Sequence, residues 1–240
     1  MKILIVAATI AEIRQLVEKL ERTGQEGDFL TYYKYHGIEI DVMVTGVGMA
    51  HTAFHMGRQL NMKKYDLAVN AGIAGAYSHD TPMGTVYQIN AEIFGLFGVE
   101  DEENYISLSS LGLLDPDSFP YEGGWLINRN QPVTATLNKL PLAKGVTVNM
   151  IYTHSDTIDT LNQMYQASLE SMEGASFFYA CLIEGVAFAE IRSVSNYVAE
   201  RDKSYWDIPL AIKNLNKTLE QILRDLARPG PKAPKKITLK

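Results

Sequence analysis

The 240-residue chain has little of what several protein classes require. It holds one cysteine, Cys181, in an apolar stretch. An internal disulfide is therefore excluded, and the usage suits a reducing cytoplasm. No window reaches about 18 uninterrupted apolar residues, so no membrane-spanning helix is predicted. The opening run, 1–6, is too short and too soon interrupted for a secretory signal. Basic charge is also scarce: 22 Lys and Arg stand against 28 Asp and Glu, a net charge of -6. That balance argues against a general nucleic-acid binder, which would carry a basic face; it leaves a small anionic ligand open. No G-x-S-x-G string occurs, and no Ser-His-Asp signature, so serine hydrolysis is not expected. His51 and His55 stand four apart on a predicted helix, but no third ligand lies near, and a catalytic zinc needs three. Neither Gly46-Val47-Gly48 nor Gly72-Ile73-Ala74-Gly75 completes a dinucleotide fingerprint. No cofactor and no metal is expected.

What is present is the patterning of an α/β protein. Apolar runs at 2–8, 38–45, 67–71, 84–90, 146–152 and 187–194 read as strands, with a further strand at 32–36. Helical patterns fall at 10–20, 50–60, 156–167, 174–183 and 208–226. Alternation of this kind, with glycines at strand ends, predicts a single α/β domain over 1–226. Its central sheet is expected to be mixed, mostly parallel and flanked by helices. Binding residues then belong at the carboxyl ends of strands. Glu12, the two glycine turns, Glu173 and Asn196 are all placed just past such ends. Residues 91–131 have weak periodicity and read as a long loop. The run from 227 to 240 is rich in proline and lysine and reads as a disordered basic tail.

Each candidate residue has a plain and a functional reading. Thr9-Ile10-Ala11-Glu12 fits a capping box, in which Glu12 reaches back to the Thr9 amide. The same carboxylate, at a strand-helix junction, is placed to activate a water. Glu173 suits the first turn of a helix, or the mouth of a sheet where a carboxylate accepts both hydroxyls of a ribose. Asn196 suits a local turn or a base-reading role. Arg192 lies within a predicted strand, where an unpaired guanidinium is costly, so a carboxylate partner is expected, Glu173 or Glu12.

Four motifs taken in order carry a resemblance. They are Thr45-Gly46-Val47-Gly48, Asn70-Ala71-Gly72-Ile73-Ala74-Gly75, Ser171-Met172-Glu173-Gly174-Ala175 and Arg192-Ser193-Val194-Ser195-Asn196. With Glu12 after the first strand, they resemble the purine nucleoside phosphorylase and nucleosidase superfamily over most of the chain. Within it, the Ser-Met-Glu-Gly string, Arg192 to Tyr197 and Trp206-Asp207-Ile208-Pro209 are similar to the futalosine hydrolase branch. The adenine-releasing methylthioadenosine/S-adenosylhomocysteine nucleosidases carry an Asp where this chain has Asn196.

The resemblance implies roles by position. Glu12 activates water, Glu173 binds the ribose hydroxyls and Met172 packs on the sugar or base. Arg192 orders the acids and Asn196 faces the purine. Ile73 and Gly75 line the site, and Thr157 and Ile158 border the base. Ile73 replaces a Ser common in the adenine-specific enzymes, which removes a side-chain hydrogen bond there. The implied activity is hydrolysis of futalosine to hypoxanthine in menaquinone biosynthesis, by a cofactor-free homodimer or higher homo-oligomer. An adenine-releasing nucleosidase, a phosphorylase and a non-catalytic nucleoside-binding protein remain the alternatives. Phe94, Phe97, Tyr105, Phe119, Tyr121 and Trp125 supply rings either for a slot on the substrate's 5′ side or for core and interface.

Overall fold

The computed structural model describes residues 1–101, 104–198 and 206–228. The chain runs β1 (Lys2–Ala7), α1 (Ile10–Val17), β2 (Glu21–Glu26), β3 (Leu30–Tyr35), β4 (Ile38–Val44) and α2 (Met49–Met62). There follow β5 (Leu67–Ala76), β6 (Val86–Phe94), β7 (Gly98–Asp101), β8 (Asn104–Ser107), β9 (Tyr121–Glu122), β10 (Trp125–Ile127) and β11 (Leu142–Thr147). The last third holds α3 (Ser155–Tyr165), β12 (Leu169–Ser171), α4 (Gly174–Glu184), β13 (Phe188–Tyr197) and α5 (Ile208–Ala227).

Eleven strands make one mixed sheet in the order β2-β3-β4-β1-β5-β12-β11-β6-β10-β9, with β13 bridging β5 and β6. The β1–β4, β1–β5, β5–β13, β11–β12 and β6–β11 pairs are parallel. Because β5 pairs β12, β12 pairs β11, β11 pairs β6, and β13 joins β6 back to β5, these five strands close on themselves. The sheet carries apolar side chains on both faces, as a sheet covered by helices must. One core packs α1 and α5 against Ile3, Ile5, Val69, Ala71, Ala189 and Ile191. The other packs α2 and α4 against Leu4, Val6, Ala68, Ala74, Phe188 and Val194. α4 is apolar almost all round, from Ala175 to Cys181, and is correspondingly buried. No helix among the described residues is long and apolar enough to cross a membrane.

Several predicted boundaries shift, each for a local reason. The helix read over 10–20 stops at Val17, and β2 follows at once, its residues mostly exposed and hence without an apolar signal. Gly72-Ile73-Ala74-Gly75 is no turn: it is the second half of β5, buried between β12 and β13. β13 likewise runs on through Asn196, which sits inside the strand after a register shift between Val194 and Asn196. Residues 91–131 are no single loop, since β6 extends to Phe94 and four short strands, β7 to β10, follow. The tail over 229–240, and Glu102 and Glu103 of the acidic run, lie outside the described residues.

Candidate active site

A cavity of about 310 Å³ opens where β1, β4, β5, β12 and β13 end or bend. Its polar lining includes Thr9, Glu12, Glu170, Glu173, Ser195 and Asn196; its apolar wall includes Val47, Ile151, Met172, Trp206, Ile208 and Ile212.

Glu12 keeps its capping role and lines the cavity as well. Its Oε2 accepts from the Thr9 amide at 2.9 Å and from the Thr9 hydroxyl at 3.0 Å. Its Oε1 accepts from the Ile73 amide at 3.2 Å. α1 is locked in turn by Asn216 of α5, whose Nδ2 donates to the Glu12 carbonyl at 2.7 Å and whose Oδ1 accepts from the Leu16 amide at 2.8 Å. Burial raises the Glu12 pKa above its ordinary value; the Arg192 charge and the two amides oppose that shift, and Glu173 adds to it. A carboxylate held by both oxygens, yet poised toward protonation, is suited to take a proton from water. At position 73 the backbone N–H supplies the contact, so the loss of a Ser side chain leaves the Glu12 anchor intact.

Glu173 caps the N-terminus of α4, and its Oε1 accepts from the Gly48 amide at 2.9 Å. Gly48 reaches this position with φ 101°, open to glycine and strained for other residues. The other oxygen of Glu173 stands 3.7 Å from the Arg192 Nη1. Arg192 itself does not line the cavity; it lies buried beneath it, with Nε donating to Glu190 Oε1 at 2.7 Å. Burial works against its charge, and Glu190, Glu173 and Glu12 outweigh that effect, so its pKa is raised. The expected pairing with Glu173 is present, and Glu12 adds a weaker attraction. The shortest ion pair, to Glu190, was not expected. Glu190 lies two residues away on the same strand face, which a period-2 reading shows.

Asn196 is aimed by the irregularity in β13. Ser195 is the extra residue there, and bulges of this kind re-aim the neighbouring side chain. The Ser195 hydroxyl donates to Asn196 Oδ1 at 2.8 Å, and Asn196 Nδ2 donates to the Tyr197 carbonyl at 3.1 Å. The amide keeps one N–H, and a second lone pair on its oxygen, for a ligand.

Of the other predicted residues, Met172, Ile73 and Gly75 line the cavity, whereas Thr157 and Ile158 sit on α3 and do not. Ile151, ahead of α3, takes that place. None of the six aromatics of the long segment lines it either; Phe94, Phe97, Tyr105 and Tyr121 surround a separate small pocket of about 70 Å³. Trp206, Ile208 and Ile212 were missed as lining. Their signal was present in Asp207, whose Oδ1 accepts from the Leu210 amide at 3.0 Å and so starts α5 at the cavity wall.

The phosphorylase superfamily model matches residues 2–228. The chain is 27% identical over 216 residues to the futalosine hydrolase of Thermus thermophilus, spanning 86% of this chain and 92% of that one. It is 30% identical over 196 residues to the futalosine hydrolase of Acidothermus cellulolyticus, spanning 75% and 73%. In fold it is similar to a 5′-methylthioadenosine/S-adenosylhomocysteine nucleosidase from Colwellia psychrerythraea solved with adenine, at a TM-score of 0.75 and 18% identity over 94% of this chain and 96% of that one.

Proposed function

The chain belongs to the phosphorylase superfamily, and from that footing we propose that it hydrolyses the N-glycosidic bond of futalosine, releasing hypoxanthine and dehypoxanthine futalosine. The observation that carries the reading is the convergence of Glu12, Glu173 and the oriented amide of Asn196 on one cavity. Its likeness to two futalosine hydrolases points the same way.

The chemistry follows from the side chains. Cleavage passes through a sugar cation, and an anionic Glu173 at the ribose diol favours that charge. Glu12 accepts a proton from the water that attacks the anomeric carbon, a role worth about 10²–10⁴-fold. Met172 packs on the sugar. Asn196 presents an N–H donor to the purine, which meets an acceptor such as N7 or a 6-oxo group. Adenine offers its own donor at position 6. A mismatch in a buried site costs about 1–3 kcal/mol, enough to set substrate choice. Hydrolysis rather than phosphorolysis follows from the loop after β1, which presents Thr9 and Glu12 to the cavity. A carboxylate there repels phosphate and suits water, while Arg14 is exposed on another face of α1. The reading carries with it a place in menaquinone biosynthesis and a cytoplasmic, cofactor-free homodimer or higher homo-oligomer.

A base-release assay with futalosine, inosine and methylthioadenosine, with and without phosphate, tests it. Hypoxanthine release from futalosine without phosphate is expected. Dominant adenine release overturns the substrate, and phosphate dependence overturns the hydrolase.

A further inference from the structure

Among the described residues, three carboxyl side chains line the cavity: Glu12, Glu170 and Glu173. The reaction above uses two. Glu170 stands in β12, buried, and its Oε2 accepts from the Tyr77 hydroxyl at 2.8 Å. Its cross-strand partner is Gly75, and the partner of Gly75 on the other side is Asn196. Glu170 and Asn196 therefore flank one residue of β5, and both face the cavity at the end assigned to the purine.

Hydrolysis leaves a proton to be placed at that end. When the bond from the anomeric carbon to the purine breaks, its electron pair goes to the purine, which must gain a proton to leave neutral. Water supplies its oxygen to the sugar and its proton to Glu12. The amide of Asn196 has no proton to release near neutrality. Glu173 is tied to Gly48 and Arg192. Among the described residues, the contact to the Glu170 carboxyl is the Tyr77 hydroxyl, with neither a cation nor an amide against it.

Resting on the nucleosidase reading, we propose that Glu170, oriented by Tyr77, is the general acid that protonates the departing 6-oxopurine. The Glu170 O–H bond breaks as a purine N–H bond forms. Glu170 ends as carboxylate and Glu12 as carboxylic acid, and one proton returned through solvent from Glu12 to Glu170 resets both. The state of Glu170 agrees: burial raises its pKa to about 7, against the lowering by the Tyr77 hydrogen bond. Among the described residues, the titratable groups around it are Tyr77, Tyr152 ahead of α3, and Tyr165 of α3 beyond Tyr77, with Glu12 and Glu173 across the cavity.

The test is Glu170→Gln, assayed on futalosine and on a riboside with the same 5′ group but 4-nitrophenolate as leaving group, which departs without a proton. Hypoxanthine release should fall about 10²–10⁴-fold in kcat with KM little changed. The loss of wild-type activity above about pH 7 should vanish from the variant's residual rate. The nitrophenyl substrate should be cleaved within a few-fold of wild type. In Tyr77→Phe, removal of the donor that favours the carboxylate should move the alkaline limb to higher pH. Unchanged futalosine turnover in Glu170→Gln, or equal losses on both substrates, overturns the proposal. A wild-type enzyme that releases no hypoxanthine overturns the parent reading instead, and is seen before any variant is made.

Discussion

Glu190 accepts a hydrogen bond from Arg192 Nε at 2.7 Å, two residues along one strand, with both side chains shut off from solvent. The pair sits under the N-terminus of α4, whose partial positive charge favours the acids gathered there. Breaking a buried pair from one side leaves a charge without compensation, at a cost of about 3–5 kcal/mol. Glu190→Leu removes the nearest carboxylate from Arg192 but leaves Glu173 at 3.7 Å, so stability should fall by up to about that amount, read as a shift of the urea unfolding midpoint. Solvent-exposed pairs such as Arg129 with Glu122 should contribute far less in the same assay.

Among the described residues, Glu92 has no cation of its own. Glu12, Glu92, Glu173 and Glu190 share Arg192 as their common cation, and burial together with the Glu190 charge pushes the Glu92 pKa well above the ordinary value. Its Oε2 accepts from the Thr147 hydroxyl at 2.7 Å. A carboxyl whose folded pKa is raised binds its proton more tightly folded than unfolded. Its contribution is complete below the unfolded value and is lost as pH rises through the folded one. Stability should decline from weakly acidic toward alkaline pH for this reason. Glu92→Gln, whose amide reproduces the protonated acid, should flatten that decline in denaturant unfolding measured across pH.

Gly72 marks the closest approach in the site. A Cβ added there would lie 2.0 Å from Arg192 Nη1 and 3.0 Å from Glu12 Oε1. Gly72→Ala should push the guanidinium off Glu173 and disturb Glu12 in one step. The expected result is loss of most activity together with reduced stability, checked by turnover and by thermal unfolding of the same preparation.

Glu12→Gln separates the two uses of that side chain. Glutamine also serves in a capping box, so the start of α1 should survive. Turnover should fall about 10²–10⁴-fold while nucleoside binding, followed by calorimetry, is largely kept. In the wild type, activity should be lost as pH falls through the raised Glu12 pKa, above the ordinary carboxylate range. Loss of binding in the variant would leave capping as the residue's role.

The α/β alternation and the strand-end placement of Glu12 and Glu173 could be read from periodicity, because burial on both faces of β1, β4 and β5 writes continuous apolar runs. β2 could not be read, since most of its residues face solvent. The glycines of 72–75 misled for a physical reason: glycine signals either a turn or a close approach, and the side chains that need the space, Arg192 at Gly72 and Asn196 and Val198 at Gly75, come more than a hundred residues later. Separation along the chain also hid Glu92, whose partners lie on β11 and β13. Ile151 and Glu170 reach the cavity through the closure of β5, β12, β11, β6 and β13, which no local pattern encodes; Trp206 reaches it through a bridge to Asn196 beside the Asp207 cap.

Asn196→Asp tests the purine end. Ser195 holds Oδ1 of the native amide, leaving Nδ2 to donate. The introduced carboxylate accepts the same Ser195 hydrogen bond but presents a second acceptor where the amide presented a donor. Facing N7 or a 6-oxo group, it is mismatched by one buried hydrogen bond, about 1–3 kcal/mol, which is about 5- to 160-fold in kcat/KM. Adenine pays less for the change, because its exocyclic amine can donate to the carboxylate. The ratio of hypoxanthine to adenine release from paired substrates should therefore fall even where both rates drop. Were hypoxanthine release untouched by the substitution, Asn196 would not be reading the base, and the choice of a 6-oxopurine would have to rest on Glu170.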